Sequence, residues 1–563
     1  MPRRHTLPAL VLGLLLAAAG PAQGQAQVHL LAPGTSRPAN AAPEAPSVAS
    51  SWAEMEAAGV RIGAVRVLPQ EVFDTSDPAE NIALFRGANR VHRVTRARVI
   101  EKQLLFKPGD RVSVRVLEET ERVLLANRFL SEVMILPLAY KDGVVDIDVV
   151  TRDAWSLDPG VNVSRSGGST SGGILVRDYN FLGTGTTVGL GRTRNVDRSG
   201  NQFFISNDHV FGSWTGLSFD HSSNTDGQRD SIALTHPFHS LDARWAAGAR
   251  FSRDDRIDPI YNAGEVVSEY RHQVISGEVF GGWSDGLQNG WVKRTTLGLT
   301  FQDDNYRFEP GRTAPPRLPT DDRIVAPFVR YQLLEDRYQR EVNRNLIGRP
   351  EFFALGLNLT AQLGLSTKAL GADADAVLYS ANLSHGWQLD EDRTVLAAGA
   401  VQGRLQDGDV RRQRVSLQTQ YYERRSARRL FYAAASADWL TRPEVGDDLL
   451  LGGDNGLRGY PLRYQSGTRR ALLTVEERFY TDIYLWRLFR IGGAAFVDVG
   501  RAWGGSNVNR SDSGWLADAG LGLRIVSTRS AFGNVLHLDL AFPLGAGSNV
   551  KRAQVLLKSR STF

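Results

Sequence analysis

The stretch Phe352–Leu365 reads FFALGLNLTAQLGL. Phe353, Leu355, Leu357, Leu359, Ala361, Leu363 and Leu365 fall on one parity; Ala354, Gly356, Asn358, Thr360, Gln362 and Gly364 fall on the other. Successive side chains of a β-strand point to opposite faces, so one face here is wholly apolar and the other small or polar. Sustained alternation of this kind predicts a strand with lipid on one side and water on the other. Strands of soluble sheets usually stop after about 5–6 residues.

The pattern recurs along the chain. Val377, Tyr379, Ala381, Leu383 and Trp387 oppose Ser380, Asn382, Ser384 and Gly386. Ile491, Gly493, Ala495, Val497 and Val499 oppose Gly492, Ala494, Phe496, Asp498 and Gly500. Trp515 to Ile525 repeats the arrangement, with Asp518 and Arg524 on its polar face. Roughly twenty such runs can be marked between Val161 and Phe563, and even counts of 16 or 20 are both allowed for a bacterial barrel. The expectation is a mainly β chain whose residues 154–563 form a transmembrane antiparallel β-barrel. A soluble sandwich or propeller is the alternative, and the long dyads and the export signal below argue against it.

Composition narrows the classes further. The 563 residues hold 56 Gly, 11 Trp, 15 Tyr and 24 Phe, but 3 Met and no Cys. The missing Cys excludes disulfide scaffolds and thiol or Cys-metal chemistry. A mean hydropathy of −0.25 excludes a chain built mostly of membrane-spanning helix. With 23% charged residues and abundant aromatics the chain is not mainly disordered. Sixty-six Lys plus Arg against 61 Asp plus Glu leaves +5, too dilute a surplus for a nucleic-acid partner.

At the start, Arg3, Arg4 and His5 precede an apolar run from Leu7 to Ala19 and small residues around Ala22-Gln23-Gly24 and Gly24-Gln25-Ala26. A basic region, a short apolar region and a small-residue cleavage site predict a secretory signal peptide over 1–26. The run is too short for a spanning helix, which needs about 20 apolar residues. Residues 27–59 open on an Ala/Pro/Ser-rich segment and are expected to be a linker.

Residues 60–153 read as a small α+β domain. Ile62–Phe73 has the β-branched content of a strand. A helical pattern starts at Thr95 and stops at Lys107-Pro108-Gly109-Asp110; a second runs from Val114 to Phe129. Strands over Glu132–Tyr140 and Val144–Arg152 follow, joined by the tight turn Lys141-Asp142-Gly143. The helix pair around LLFKPGD, the helix EETERVLLANRFL and the closing strand into Asp153-Ala154-Trp155 resemble a POTRA domain, the periplasmic module ahead of outer-membrane insertase barrels.

The long loop Thr441–Thr468 carries the most information. Its Leu457-Arg458-Gly459-Tyr460 is similar to the Arg-Gly-aromatic loop motif of the BamA/TamA superfamily of outer-membrane insertases, which join POTRA domains to a bacterial surface antigen barrel. Five alternating runs follow the loop, at 469–481, 490–502, 514–527, 533–543 and 550–562, as in that superfamily. Phe496-Val497-Asp498-Val499-Gly500 resembles its motif on one of these strands, Val475-Glu476-Glu477-Arg478-Phe479 its glutamate-bearing one, and Asp178 to Gly185 its early hairpin. The resemblance implies sixteen strands, a single-POTRA member, and a loop that folds into the lumen so that its Arg meets acidic residues on the wall. Strand phase places Glu476 on the inward face with Thr474, Arg478 and Tyr480, and Asp498 on the inward face of the next strand. Arginine is always charged and its planar fork suits carboxylates. Arg458 is therefore expected to pair with Asp498 and Glu476, with Glu476 chosen over Glu477 by phase. Without the matching loop and wall motifs, the same residues would read as a solvated arginine and two lumen carboxylates.

The first run carries Ser164, Arg165 and Ser166 beside Val161 and Val163, and the last has Lys558, Ser559, Arg560 and Ser561 between Leu557 and Phe563. A closing seam with few hydrophobic cross-strand pairs is the weakest place in a barrel. In the superfamily that seam opens sideways and client strands add to its edge. The resemblance thus implies a protein-insertion or translocation factor of a Gram-negative outer membrane. Its partners would be unfolded outer-membrane protein clients, outer-membrane lipids and lipopolysaccharide, with periplasmic chaperones or accessory lipoproteins in support. The best-known members carry several POTRA domains, so a dedicated or auxiliary transporter fits as well as a central assembly role. No HExxH, GxSxG or P-loop pattern is present, and His92, His209, His236 and His239 lack metal-ligand spacing. Neither catalytic residues, nor a metal, nor a cofactor is expected. A passive pore or structural barrel is the rival reading, since an inward loop would also constrict a pore.

Overall fold

A computed structural model describes residues 51–158, 160–347, 350–505, 513–530, 535–548 and 550–560. The expected signal peptide, most of the linker and Phe563 lie outside these residues.

The α+β domain begins earlier than the sequence suggests. Trp52–Ala57 is a helix rather than the end of the linker. Ser51 and Glu54 form a reciprocal capping box at its start, and Met55 is buried in the domain core. Arg61–Gln70 runs parallel to Val144–Asp153, which pairs antiparallel with Leu130–Lys141. The last two strands turn at Asp142 and Gly143, both at positive φ, as a two-residue hairpin requires. Helices Ala97–Glu101 and Val114–Leu125 cover the sheet, burying Ile100, Leu117 and Leu124 on Ile62, Ile147 and Val149. A further helix, Ala83–Val91, has no counterpart in the sequence reading; its Phe85 stacks on Phe73 at 4.0 Å.

Three residues, Ala154, Trp155 and Ser156, separate this domain from the barrel. Among the described residues the barrel is closed, antiparallel and made of 20 strands. Leu157–Asp158 and Val161–Ser166 count as one interrupted first strand, because both pair with Ser169–Asp178. Twenty corrects the sixteen implied by the resemblance. Short connections make room for the extra strands: turns at Ala263-Gly264, Asn289-Gly290 and Asp407-Gly408 reverse the chain in two residues, all at positive φ.

Outward positions are apolar and exposed, among them Leu363, Leu365, Leu383, Leu521, Leu538 and Phe542. Tryptophans mark both rims. Trp245, Trp283, Trp387 and Trp486 lie toward the end that meets the α+β domain; Trp439, Trp503 and Trp515 lie toward the other. The stretch 352–365 is not one strand. Pro350–Ala354 belongs to a separate two-stranded ribbon with Tyr338–Val342, and the wall strand is Asn358–Ser366, whose Leu359, Ala361, Leu363 and Leu365 keep the expected parity.

The α+β domain sits across one mouth of the barrel and is tied to turns around its rim. Asn180 Nδ2 donates to Thr95 Oγ1 at 2.8 Å, and Arg96 N to Gly183 O at 3.0 Å. Glu119 accepts Leu241 N–H at 2.7 Å, Asp77 pairs with Arg487, and Glu80 with Arg529. Burial holds the Glu119 carboxyl above the ordinary glutamate range, offset in part by the Leu241 N–H and by Arg115.

Candidate functional site

The loop between strands Arg429–Thr441 and Arg469–Leu485 turns into the lumen. A short ladder, Leu449–Leu451 with Gln465–Gly467, braces its base. Leu451, Leu457 and Tyr460 are buried there, so apolar packing as well as charge holds the loop inward.

At its tip Arg458 is 3% exposed. Its Nε and Nη2 donate to the two oxygens of Asp498 at 2.7 and 2.9 Å, a bidentate pair. Nη1 donates to Glu476 Oε1 at 2.9 Å and lies 3.5 Å from Asp539 Oδ2. The guanidinium also stacks 3.3 Å above the Phe496 ring. Gly459 N donates to Asp518 Oδ2 at 2.9 Å; a Cβ on Gly459 would lie 2.7 Å from Asp518 Cβ and 3.0 Å from Pro543 N, so a side chain has no room. Tyr460 Oη donates to Leu544 O at 3.3 Å. Glu477, the residue set aside by phase, faces outward and pairs with Arg425 and Arg429.

The sequence reading assigned no role to Asp518, Asp539, Arg478 and Arg524. Asp518 stands directly opposite Asp498 in the register, and Arg524 pairs with Asp539. Four buried carboxylates thus meet three guanidiniums, and the Gly459 N–H supplies a further donor. Burying charge is tolerable only when it is paired and hydrogen-bonded in this way.

Arg463 is a second anchor, also unread in the sequence. It makes a bidentate pair with Asp197 at 2.9 and 3.0 Å and lies 3.9 Å over the Tyr261 ring. The loop therefore spans the lumen from one wall to the other. It also bridges the two ends of the barrel. Asp454 lies 3.9 Å from Lys558 on the last strand, while the Pro461-Leu462 backbone presses on Gly167 in the first hairpin, where a Cβ would lie 2.1 Å from Leu462 N.

The ribbon Tyr338–Val342 and Pro350–Ala354 enters the lumen from the opposite end. Arg122 of the α+β domain lies 4.8 Å over Tyr338, and Phe352 packs on that domain's core. Farther in, Leu346 and Ile347 are buried among Tyr422, Leu430, Tyr480, Val526 and Val535. Glu351 accepts the N–H groups of Arg344, Asn345 and Leu346 at 3.2, 2.8 and 3.1 Å, holding the inner bend. Arg344 O accepts from Arg478 Nη1 at 2.8 Å, and Arg478 Nε donates to Glu476 Oε2 at 3.0 Å. One oxygen of Glu476 thus holds the loop through Arg458, and the other is linked to the ribbon through Arg478.

Of the expected seam residues, Leu557 pairs with Arg165 across the closure, Val161 and Val163 pair with Ile174 and Gly172 in the first hairpin, and Phe563 lies outside the described residues. His209, His236 and His239 converge on Trp214 and Trp245 as a stack of rings, Trp214 to His239 at 4.3 Å and His236 to Trp245 at 3.8 Å. Among the described residues no group of three or more His, Asp or Glu is arranged to hold a metal ion.

No family model and no curated protein matches the chain. Solved structures do. BamA from Haemophilus ducreyi lacking POTRA domains 1–3 is similar over 88% of this chain and 84% of that one, with 12% identity and a TM-score of 0.40. CdiB from Acinetobacter baumannii covers 89% and 74% at 13% identity and a TM-score of 0.43. CdiB from Escherichia coli covers 90% and 77% at 15% identity and a TM-score of 0.47.

Proposed function

We propose that this protein inserts or translocates proteins at the outer membrane of a Gram-negative bacterium, with the POTRA-like domain in the periplasm collecting clients. The observation that carries the reading is the closure of the barrel. Among the described residues the register between the last strand and Val161–Ser166 is the single pair Leu557↔Arg165, with Leu157–Asp158 also beside the last strand, whereas the last strand's other edge is matched from Val535↔Arg560 to Ala541↔Gln554. Backbone pairing is what resists opening of a sheet, so this seam separates first. An opened seam offers two unsatisfied strand edges, which an extended client segment satisfies by β-augmentation.

The apolar outer face and its two tryptophan rims suit a wall surrounded by lipid. The α+β domain presents a strand edge of its own, Leu130–Lys141, with Met134, Leu136 and Tyr140 exposed along it. Such an edge is a template for a client strand. Loop 441–468 and ribbon 338–354 both occupy the lumen, which counts against a passive pore. The driving energy on this reading is client folding and burial of apolar surface in lipid, about 25 cal/mol per Å².

Depleting the protein and quantifying the outer-membrane proteome tests the proposal. Loss of a defined set of barrel or secreted clients is expected; an unchanged inventory would sink it. Planar-bilayer recording tests the rival: a steady large conductance from the intact chain would favour the pore.

A further inference from the structure

The outer wall between strands Arg429–Thr441 and Val535–Leu544 carries a groove of about 440 Å³ that the mechanism above does not use. Two rows of the register form it. One runs Phe431, Glu477, Ala495, Leu521; the other Ala433, Val475, Val497, Ala519, Phe542. Small side chains at Ala495 and Ala519 leave a depression between Phe431, Leu521 and Phe542. It is apolar along most of its length and charged at one edge.

That edge is the turn sequence Glu423-Arg424-Arg425-Ser426-Ala427-Arg428-Arg429. Arg425 Nη1 meets Glu477 Oε2 at 2.9 Å, and Arg429 Nη2 meets Glu477 Oε1 at 2.8 Å. Glu423 lies 3.9 Å from Arg425, so two cations and two anions share the edge. Arg425 and Arg429 remain 41% and 52% exposed at their side chains, open to a ligand. The turn lies at the end of the barrel where Arg487 meets Asp77 of the α+β domain. A carboxylate on a lipid-facing strand is costly unless it is paired. Here Glu477 is paired with two arginines beside a slot shaped for hydrocarbon.

We propose that this groove binds a glycerophospholipid with a zwitterionic aminoalkyl-phosphate headgroup, drawn from the leaflet on the domain side. The guanidinium forks of Arg425 and Arg429 take the phosphate oxygens, Glu477 and Glu423 take the ammonium, and an acyl chain lies over Ala495 and Ala519. A purely anionic headgroup would leave the two carboxylates facing phosphate. The site backs onto the lumen. Phe496 and Gly520, opposed on the inward face, belong to the two strands that floor the groove, and the Phe496 ring carries Arg458 on the lumen side.

The proposal rests on reading the wall as lipid-embedded and not on insertion activity. The test uses the full chain in nanodiscs of phosphatidylethanolamine, phosphatidylcholine and phosphatidylglycerol in equal parts, followed by native mass spectrometry. Retention of one phosphatidylethanolamine in preference to the others is expected. Ala519→Leu fills the slot, and Arg425→Ser combined with Glu477→Gln empties the headgroup edge. Each should lower retention about tenfold, the equivalent of one charge-assisted contact, in protein shown to be folded by heat-modifiability. Preferential retention of phosphatidylglycerol overturns the zwitterionic assignment, and undiminished retention in both folded variants overturns the site. If Ala519→Leu does not fold, the headgroup double variant decides. An unchanged proteome on depletion removes the insertion reading and leaves this result standing.

Discussion

At the scale of single residues, Arg458 holds the lumen together. Removing one partner of a buried ion pair leaves the others uncompensated, at about 3–5 kcal/mol. Arg458→Ala strands Asp498 and one oxygen of Glu476, so the folded barrel should lose its resistance to heat in gel-shift assays. Arg458→Lys keeps the charge but loses both the bidentate geometry and the stack on Phe496, and should fall between the two. Wild-type heat stability in Arg458→Ala would remove the case for the cluster as an anchor. Glu119 makes a different prediction. Its pKa is raised where the domain docks, so the docked state holds a proton that the undocked state releases. Docking should be firmest at low pH and weaken as pH rises from the ordinary glutamate range to the raised value. Glu119→Gln keeps an acceptor for Leu241 N–H, and limited proteolysis of the domain should then lose part of its pH dependence, the rest staying with Glu121, whose carboxyl is also raised by burial, against the pull of Arg340. Arg458, Glu476 and Asp498 could be singled out from the sequence because a loop motif and strand phase pointed at the same three residues. Phase assigns a face but not a neighbour across the lumen, so Asp197 as the partner of Arg463 was not legible. Nor was Asp539, whose strand carried no motif to draw attention to it.

At the scale of elements, the ribbon 338–354 is the unexpected piece. The sequence hides it because alternation continues straight through Leu355-Gly356-Leu357, where the chain leaves the ribbon and joins the wall. The wall is already closed beneath it: Glu335 N donates to Leu357 O at 2.8 Å. Residues 337–355 can therefore be replaced by a two-residue Asn-Gly turn without disturbing the register of Asp322–Glu335 with Asn358–Ser366. The excised protein should fold and show a larger single-channel conductance than the intact chain. Unchanged conductance would mean that the ribbon does not obstruct the lumen. In the α+β domain the three strands and the helices Ala97–Glu101 and Val114–Leu125 were legible from period and turn chemistry. Ala83–Val91 was not, being a short helix held by one aromatic stack.

At the scale of the whole molecule, a mainly β chain with a small α+β domain ahead of a large barrel could be read from alternation and composition alone. The strand count was legible as well, in runs that numbered about twenty, and the sixteen borrowed from a resemblance displaced it. Each added strand widens a barrel, and the wider lumen is where the loop and the ribbon lie. The seam makes the global prediction. The chain has no Cys, so Arg165→Cys with Leu557→Cys introduces a single possible disulfide between directly paired strand positions. Oxidation should arrest client insertion in reconstituted membranes and reduction should restore it. Insertion at full rate through the oxidised barrel would rule out a lateral route.

The three-residue connection between domain and barrel bears on how that seam would be worked. Ala154, Trp155 and Ser156 alone join the domain's central strand to the first strand of the barrel, a reach of at most about 11 Å. Ala154 is buried, and Trp155 N is held by Arg529 O at 2.8 Å. So short and pinned a tether has no slack. Swinging the domain away from the mouth would act as a crank on the first strand, delivering torque to the one edge of the barrel that has least to hold it.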